Sequence, residues 1–391
     1  MGLGRILKVL HIITGLEAGG AEAMLLKLLT QFKESGPGSP DAEVISLSKP
    51  GPMGPPIRKL GIPVTSLGMS VGPSMFWKLN RLRKKIIAAQ PDVIQTWMYH
   101  ANFLGGIAAA AGVKKIPLIW GLRQSNLDPR HSKKSAFLSA WLGAKTSDWL
   151  PDSILCVSQS ARHIHEAMGY CTDKLTVIPN GFDFRRFHPD PAARQTIRKE
   201  IEAPLDAPLV GLFARFNPQK DHRTFLRAAA LLHERQPNVK FVMCGTSVKN
   251  TNSHLRKLIW NAGLSGSVYL LGLRNDIPRL TASLDVAVSS SAFGEGYSNT
   301  IGEALATGIP VAATDVGDSA SIVGENGKIV VPEDPDALAG AMLELLCLPQ
   351  EAREKLSGNA RQAMEQKYSI KAIADQYRAL YDKVTEQGKV T

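Results

Sequence analysis

The sequence lacks the features of a membrane-spanning, disulfide-stabilised or metal-binding protein. No apolar run reaches the roughly eighteen residues that a spanning helix needs, and four scattered cysteines form no CxxC pair, which is typical of thiols in a reducing compartment. The apolar start, 1–13, contains a histidine and is followed by glycines instead of a cleavage site, so we interpret it as a buried strand rather than a signal peptide. Asp334-Pro335-Asp336 has the spacing of a metal-binding acid pair, but the apolar helical pattern after it favours helix capping.

Negative charge is scarce in one half of the chain only. Residues 1–186 hold 23 Lys and Arg against 12 Asp and Glu, whereas residues 187–391 hold 23 of each, so the net charge of +11 belongs to the first half. Such a surface suits anionic lipid headgroups, a pyrophosphate-linked acceptor or nucleic acid. The aromatic stacking pattern and motifs of nucleic-acid-binding proteins are missing, and we therefore disfavour nucleic acid.

Length and patterning predict two α/β domains. A chain of 391 residues is too long for one typical core. Strand and helix patterns alternate in both halves without a repeat of about 20–50 residues, which favours two doubly wound sheets over a solenoid. We predict an N-terminal domain (1–185), a linker rich in proline and charge (186–208), a C-terminal domain (209–366) and a last helix (367–391).

Two segments of the N-terminal half carry further expectations. Residues 35–72 are rich in proline and glycine, which predicts an exposed loop. Residues 74–90 predict a basic amphipathic helix, and its periodicity fits a helix lying on an anionic membrane as well as a helix packed on the core.

The most informative stretch joins a strand at 284–288 to a helix that begins near Ser298. The loop between them contains hydroxylated residues and glycines, and Ser298 is a suitable N-cap, so the helix start would offer N–H groups to a phosphate. Glu295 and Glu303 flank that start, and carboxylates accept hydrogen bonds from sugar hydroxyls. Two acids at this spacing alone favour an ordinary strand–helix unit with two surface glutamates, and only the longer string around them changes that interpretation.

The longer string resembles a known enzyme family. Glu295-Gly296-Tyr297-Ser298-Asn299 with Glu303-Ala304, followed by residues 308–314, is similar to the signature of retaining, nucleotide-sugar-dependent glycosyltransferases of family 4. The string 178–183, Ile-Pro-Asn-Gly-Phe-Asp, resembles the end of that family's first domain. The resemblance implies the GT-B fold, in which two Rossmann-like, doubly wound domains face each other across a cleft and the last helix crosses back to the first domain.

The resemblance also implies roles for individual residues. Arg215 and Lys220 would bind the donor diphosphate, Glu295 and His100 the sugar, and Glu303 the ribose, with the nucleobase held by backbone groups near Arg274. Gly19 and Gly20 would lie beside the donor phosphate and the acceptor, although turn formation explains these glycines equally well. The implied catalytic residues are His100, Arg215, Lys220 and Glu295; the donor-binding residues are Gly19, Gly20, Gly245, Arg274, Gly296, Tyr297, Ser298, Asn299, Thr300 and Glu303; the acceptor-binding residues are Arg123 and Asn126.

The implied reaction transfers a sugar from a nucleotide diphosphate sugar, a UDP-sugar being favoured, to a hydroxyl acceptor in polysaccharide, lipopolysaccharide or glycolipid synthesis. It retains the anomeric configuration and needs neither a metal nor another cofactor. We expect a cytoplasmic protein, either free or peripherally attached to the inner face of the cell membrane, whose acceptor is lipid-linked or a growing polysaccharide. A nucleotide-sugar epimerase, a phosphorylase-like enzyme of the same fold and a catalytically silent sugar-binding module are the alternatives. The sugar, the base, the acceptor and the oligomeric state stay open.

Overall fold

The computed structural model describes residues 6–17, 19–69, 75–112, 115–124 and 134–390. The chain divides into two compact units, of which the first comprises residues up to Gly181 together with those from Ile370 onward, and the second comprises Phe182–Ser369. Both are α/β units with parallel sheets. Within the described ranges, each helix is too short or too polar to cross a bilayer.

The first unit contains a seven-stranded parallel sheet in the order β3-β2-β1-β4-β5-β6-β7. Its inner strands β1, β4, β5 and β6 are almost wholly buried because helices cover both faces, which explains their largely apolar sequences. In chain order its elements are β1 (Lys8–Ile13), α1 (Gly20–Glu34), β2 (Asp41–Ser46), α2 (Gly54–Lys59), β3 (Val64–Ser66), α3 (Met75–Ala89), β4 (Val93–Trp97), α4 (Tyr99–Ala110), β5 (Leu118–Leu122), α5 (Lys134–Thr146), β6 (Ser153–Cys156), α6 (Gln159–Ala167) and β7 (Leu175–Val177).

The expectation that residues 35–72 form an exposed loop is wrong. This segment contains α2 and β3, and Ile57, Ile62 and Leu67 are buried in it. Its prolines do not break structure because Pro55 and Pro56 lie in the first turn of α2, where a missing N–H costs no helical hydrogen bond.

The second unit contains a six-stranded parallel sheet in the order β10-β9-β8-β11-β12-β13. Its elements are α7 (Pro191–Glu200), β8 (Leu209–Phe213), α8 (His222–Arg235), β9 (Lys240–Cys244), α9 (Ser253–Asn261), β10 (Val268–Leu270), α10 (Ile277–Ala282), β11 (Val286–Ser289), α11 (Asn299–Ala306), β12 (Val311–Thr314), α12 (Ser319–Val323), β13 (Gly327–Val330), α13 (Pro335–Leu346) and α14 (Gln350–Tyr368).

Residues 186–208 are not a linker but part of the second unit. They include α7, whose Arg194 and Arg198 guanidinium groups each lie 2.7 Å from a carboxylate oxygen of Asp285. Arg198 is almost fully buried. The charged side chains that suggested a linker therefore hold α7 against Asp285, just before β11 of the second sheet.

The last helix, α15 (Ile370–Val390), belongs to the first unit. Tyr377 stacks on Trp97 with ring centroids 6.2 Å apart, and the Tyr381 hydroxyl donates to Gln95 Oε1 at 2.8 Å. These contacts attach α15 to the central strand β4.

The capping interpretation of Asp334 is confirmed, because its Oδ1 accepts from the Ala337 N–H at 2.9 Å at the start of α13. We expect Asp334→Ala to lower the free energy of unfolding by about 1 kcal/mol. Asp336→Ala removes an exposed first-turn acid that interacts only with the helix dipole, so its effect should be about half as large or smaller. Urea unfolding of both variants measures the difference, and equal losses would contradict the capping role.

Candidate functional site

The predicted residues follow the four central strands of the two sheets. Strand order reverses between β1 and β4 in the first sheet and between β8 and β11 in the second. Open parallel sheets bind ligands outside the carboxyl ends of their strands at such a reversal. The residues that follow these strands are Gly19 and Gly20 after β1, His100 after β4, Arg215 and Lys220 after β8, and Glu295 after β11.

The centre of the second unit's site is a hydrogen-bonded group of Lys220, Glu295 and Ser291. The Lys220 ammonium donates to Glu295 Oε1, and the Ser291 hydroxyl donates to the same oxygen at 2.8 Å. Their shielding from water strengthens this interaction, since the Lys220 and Glu295 side chains are only 18% and 8% exposed. A cation and a carboxylate thus meet at the sheet reversal, although 75 positions separate them in the sequence.

The two loops that carry this group are joined by three further hydrogen bonds. The Gln219 side chain donates to the Gly294 carbonyl at 2.9 Å, the Ala292 N–H donates to the Gln219 carbonyl at 2.9 Å, and the Ser290 hydroxyl donates to the Lys220 carbonyl at 2.9 Å. Lys220 itself ends a short 3-10 turn that begins at Pro218. The backbone position of Lys220 is therefore fixed independently of its salt bridge.

Arg215 is the more exposed of the two predicted phosphate-binding cations. It lies directly after β8 and donates to Gln219 Oε1 at 3.2 Å, so its guanidinium group is held beside the loop of Lys220. A guanidinium has further donors with which to bind phosphate oxygens.

The start of α11 is a second feature of the same edge whose electrostatics favour an anion. Ser298 occupies the N-cap position, as predicted, but its hydroxyl contacts Thr300 Oγ1 at 3.3 Å and makes no capping hydrogen bond. The helix start is thus left without a side-chain cap, and its N–H groups and dipole favour an anion there.

Two glycines shape this edge by allowing close backbone packing. Gly245 has a φ of +149°, and a Cβ there would lie 2.2 Å from the Ala214 carbonyl oxygen, so the predicted donor-binding glycine allows close packing beside Arg215. Gly317, which the sequence reasoning missed, has a φ of +65°, and its Cβ would lie 2.0 Å from the Glu295 carbonyl oxygen. Its position just after β12 is the sequence signal that could have identified it. The close approach of Gly317 lets the loop after β12 pack against the backbone of Glu295.

Tyr297 points into the core. Its ring contacts Phe182 and Tyr368 at centroid distances of 6.1 and 5.7 Å, burial raises the pKa of its phenol, and its hydroxyl has no hydrogen-bond partner among the described residues. Only its backbone therefore remains for the predicted donor-binding role.

We expect Tyr297→Phe to leave kcat/KM within about twofold of wild type and to keep or slightly raise stability, because an unpaired buried hydroxyl is costly. Steady-state kinetics with thermal unfolding measures both quantities. A tenfold loss of kcat/KM in a variant of normal stability would show that the hydroxyl takes part in substrate binding.

Arg274 already has anionic partners within the second unit. Its guanidinium contacts Asp276 at 2.8 Å and Glu200 at 2.5 Å; these hydrogen bonds raise the pKa of Arg274, and Arg274 lowers the pKa of Asp276. The side chain is thus engaged in ion pairs, and the predicted nucleobase contact is left to backbone groups nearby.

Glu303 and Thr300 line a cavity at the reversal between β8 and β11. Its volume of about 10 Å³ suits roughly one water molecule and is too small for a sugar ring. A ribose that contacts Glu303 would have to lie outside this cavity, and the ribose role stays a prediction.

In the first unit, the loops after β1 and β4 are joined through Thr14, whose hydroxyl accepts from the Ala101 N–H at 3.3 Å. Gly19 is the N-cap of α1, and a Cβ on it would lie 2.5 Å from Glu22 Oε2. Sequence reasoning did not single out Glu22, a buried carboxyl whose pKa is raised by that burial.

His100 and Asn102 lie two residues apart in α4 but have different surroundings. His100 lies half-buried in the first turn of α4, at the carboxyl edge of the sheet. Asn102 is buried, accepts from Thr96 Oγ1 at 2.7 Å and donates to the Gly121 carbonyl at 3.1 Å, so it joins β4 to β5.

The predicted acceptor-binding pair receives little structural support. Arg123 lies over the Trp97 ring at 5.2 Å and donates to the Tyr377 hydroxyl and to Asn180, contacts that help to hold α15. Asn126 lies outside the described residues.

Solved structures with the same arrangement of elements include two carbohydrate-related proteins. Anabaena Alr3699/HepE, crystallised with UDP-glucose, aligns with a TM-score of 0.83 and 22% identity over 96% of this chain and 100% of that one. Sucrose-phosphate synthase of Thermosynechococcus elongatus aligns with a TM-score of 0.78 and 18% identity over 97% and 100%. These likenesses show the GT-B fold of two Rossmann-like units.

The family follows from two sequence models that together span most of the chain. The model described as Glycosyltransferase Family 4 matches residues 18–186, and the model described as Glycosyl transferases group 1 matches residues 207–347. The chain therefore belongs to the group 1 glycosyltransferases of family 4, which confirms the resemblance of its Glu295–Glu303 string.

Curated relatives match over part of their length. The chain is 31% identical to the MMP alpha-(1->4)-mannosyltransferase of Mycolicibacterium hassiacum over 60% of this chain and 54% of that protein. It is 30% identical to the lipopolysaccharide core biosynthesis mannosyltransferase LpsB of Rhizobium meliloti over 52% and 61%. The matched region is thus somewhat more than half of each relative's length.

Proposed function

We propose that this protein transfers a sugar from a UDP-sugar to a hydroxyl acceptor in lipopolysaccharide, polysaccharide or glycolipid synthesis, with retention of anomeric configuration. The observation that carries the proposal is the Lys220–Glu295 pair beside the uncapped start of α11 at the sheet reversal. The names of the glycosyltransferase relatives and the UDP complexes of HepE support the reaction class and the donor class.

The chemical difficulty is the charge that develops as the bond between C1 of the sugar and the diphosphate breaks. In the proposed mechanism, Arg215, Lys220 and the N–H groups at the start of α11 stabilise the departing diphosphate. Fixed cations and a helix dipole supply this stabilisation, so the mechanism requires no metal.

Glu295 has a different role, because a carboxylate does not bind a diphosphate. When a donor occupies the site, its phosphate oxygens compete with Glu295 for the Lys220 ammonium, and the released carboxylate can accept from sugar hydroxyls. His100 is proposed as a second contact to the sugar, and Glu303 as the contact to the ribose.

Retention is proposed to follow a front-face route. The acceptor oxygen forms its bond to C1 on the face that the diphosphate leaves, and a phosphate oxygen of the leaving group takes the acceptor proton. No enzyme nucleophile enters this scheme, in contrast to a double displacement. NMR of the product anomer tests it, and an inverted product would refute the front-face route.

The proposed activity is tested by screening nucleotide sugars for thermal stabilisation and then measuring donor hydrolysis with the best one. We expect a UDP-sugar to stabilise the protein and to be hydrolysed slowly without an acceptor, with turnover unchanged by EDTA. Stabilisation by no nucleotide sugar would contradict the proposal.

The proposed place of action is the cytoplasmic face of a membrane, with a lipid-linked acceptor. The concentration of positive charge in residues 1–186 supports this location.

A further inference from the structure

Large exposed apolar side chains concentrate on two helices of the first unit. On α5, Phe137, Leu138 and Trp141 are 37%, 54% and 47% exposed, and their spacing places them on one helix face. On α3, Trp77 and Ile87 are 80% and 47% exposed. The surface of a soluble protein rarely exposes so many large apolar side chains close together unless a binding partner covers them.

These two helices lie on the same face of the first sheet. The connections from β3 to β4, from β4 to β5 and from β5 to β6 all cross the sheet in one direction, and right-handed crossovers then place α3, α4 and α5 on one side. In the structure, α4 contacts both α3 and α5. We call the outer surface of these helices the α3–α5 face.

The α3–α5 face is built from a sequence without carboxylates. Residues 75–89, 99–110 and 134–146 contain no Asp or Glu, whereas α3 contains five Lys and Arg and α5 contains two. Arg81 and Lys84 are exposed, and neither forms an ion pair with a described residue. Lys78 and Arg83 donate to backbone carbonyls instead, at 2.6 and 2.8 Å.

We propose that the α3–α5 face docks on an anionic lipid bilayer, with the apolar side chains of α5 and Trp77 in the interfacial layer and the cations of α3 against the headgroups. Tryptophan favours the membrane interface, and each basic side chain near an anionic surface adds attraction. A second copy of this chain is a poorer partner, because it would place cations against cations. The inference deepens the proposed membrane location and adds α5, which the sequence did not single out.

The test is sedimentation of the full chain with phosphatidylcholine vesicles, with and without phosphatidylglycerol. We expect binding only to the anionic vesicles, reduced by raised salt. The variant Phe137→Ser/Leu138→Ser/Trp141→Ser and the variant Arg81→Glu/Lys84→Glu should each lower the partition coefficient at least about tenfold. Trp260→Ser, which removes a tryptophan of similar exposure (74%) from α9 of the second unit, should change it less than about twofold.

UDP binding of the same preparations, measured without vesicles, separates the two proposals. If the chain binds UDP but no vesicles, the docking proposal is overturned and the proposed function stands. If it binds vesicles but not UDP, the docking proposal stands and the proposed function is overturned. Vesicle binding that both multiple variants retain, or a dimer that the α5 variant converts to a monomer, would also overturn the docking proposal.

Discussion

Replacing Arg215 and Lys220 together by glutamine should lower kcat by about three orders of magnitude or more, since loss of one fixed donor to a developing oxyanion commonly costs about two to three orders. Both cations follow β8 and lie beside the loop that carries Glu295. Their positive charge matters most when the diphosphate leaves, so kcat should fall more than the affinity for UDP.

The single variant Arg215→Gln separates an effect on catalysis from an effect on the stability of the fold. Lys220→Gln leaves the buried Glu295 carboxylate without its cation and should also lower the free energy of unfolding, whereas the exposed Arg215 can be replaced without that cost. Arg227→Gln, an exposed cation on α8, is the matched control. Steady-state kinetics gives kcat for each variant, and urea unfolding gives its free energy of unfolding. A kcat within threefold of wild type in the double variant would show that neither residue stabilises the leaving diphosphate.

Most strands were predictable because their signal is local. The apolar runs of β1, β4 and β8 reflect burial on both sheet faces, and the strand predicted at 284–288 corresponds to β11 (Val286–Ser289). The helix α13 begins directly after Asp334, as the predicted capping role requires.

The wrong predictions concern residues whose interaction partners lie far away in the sequence. Proline and charge in residues 186–208 indicated a linker, but Arg194 and Arg198 bind Asp285, about ninety positions away. The same limit holds at the site, where resemblance predicted the types of residue but not their contacts. That Lys220 bonds Glu295, that Arg274 is held by Glu200 and that Tyr297 turns into the core depend on tertiary packing.

Replacing Glu295 by glutamine should change ligand binding and turnover in opposite directions. The Glu295 carboxylate neutralises Lys220 in the structure, so a diphosphate must compete with it for the ammonium. Removing that charge should tighten UDP binding by about three- to tenfold, which corresponds to roughly 1 kcal/mol at a partly screened site. Turnover should fall about a hundredfold or more, because the variant lacks the carboxylate that orients the sugar.

Three variants sharpen this expectation. Ser291→Ala removes one hydrogen bond to Glu295 Oε1 and should shift both quantities in the same directions by smaller factors, whereas Glu325→Gln, an exposed acid in the same unit, should shift neither. In Lys220→Gln/Glu295→Gln the gain in affinity should disappear, because it depends on the ammonium. Isothermal titration with UDP measures the affinities, and weaker binding in Glu295→Gln would mean that the carboxylate supports the nucleotide rather than competing with it.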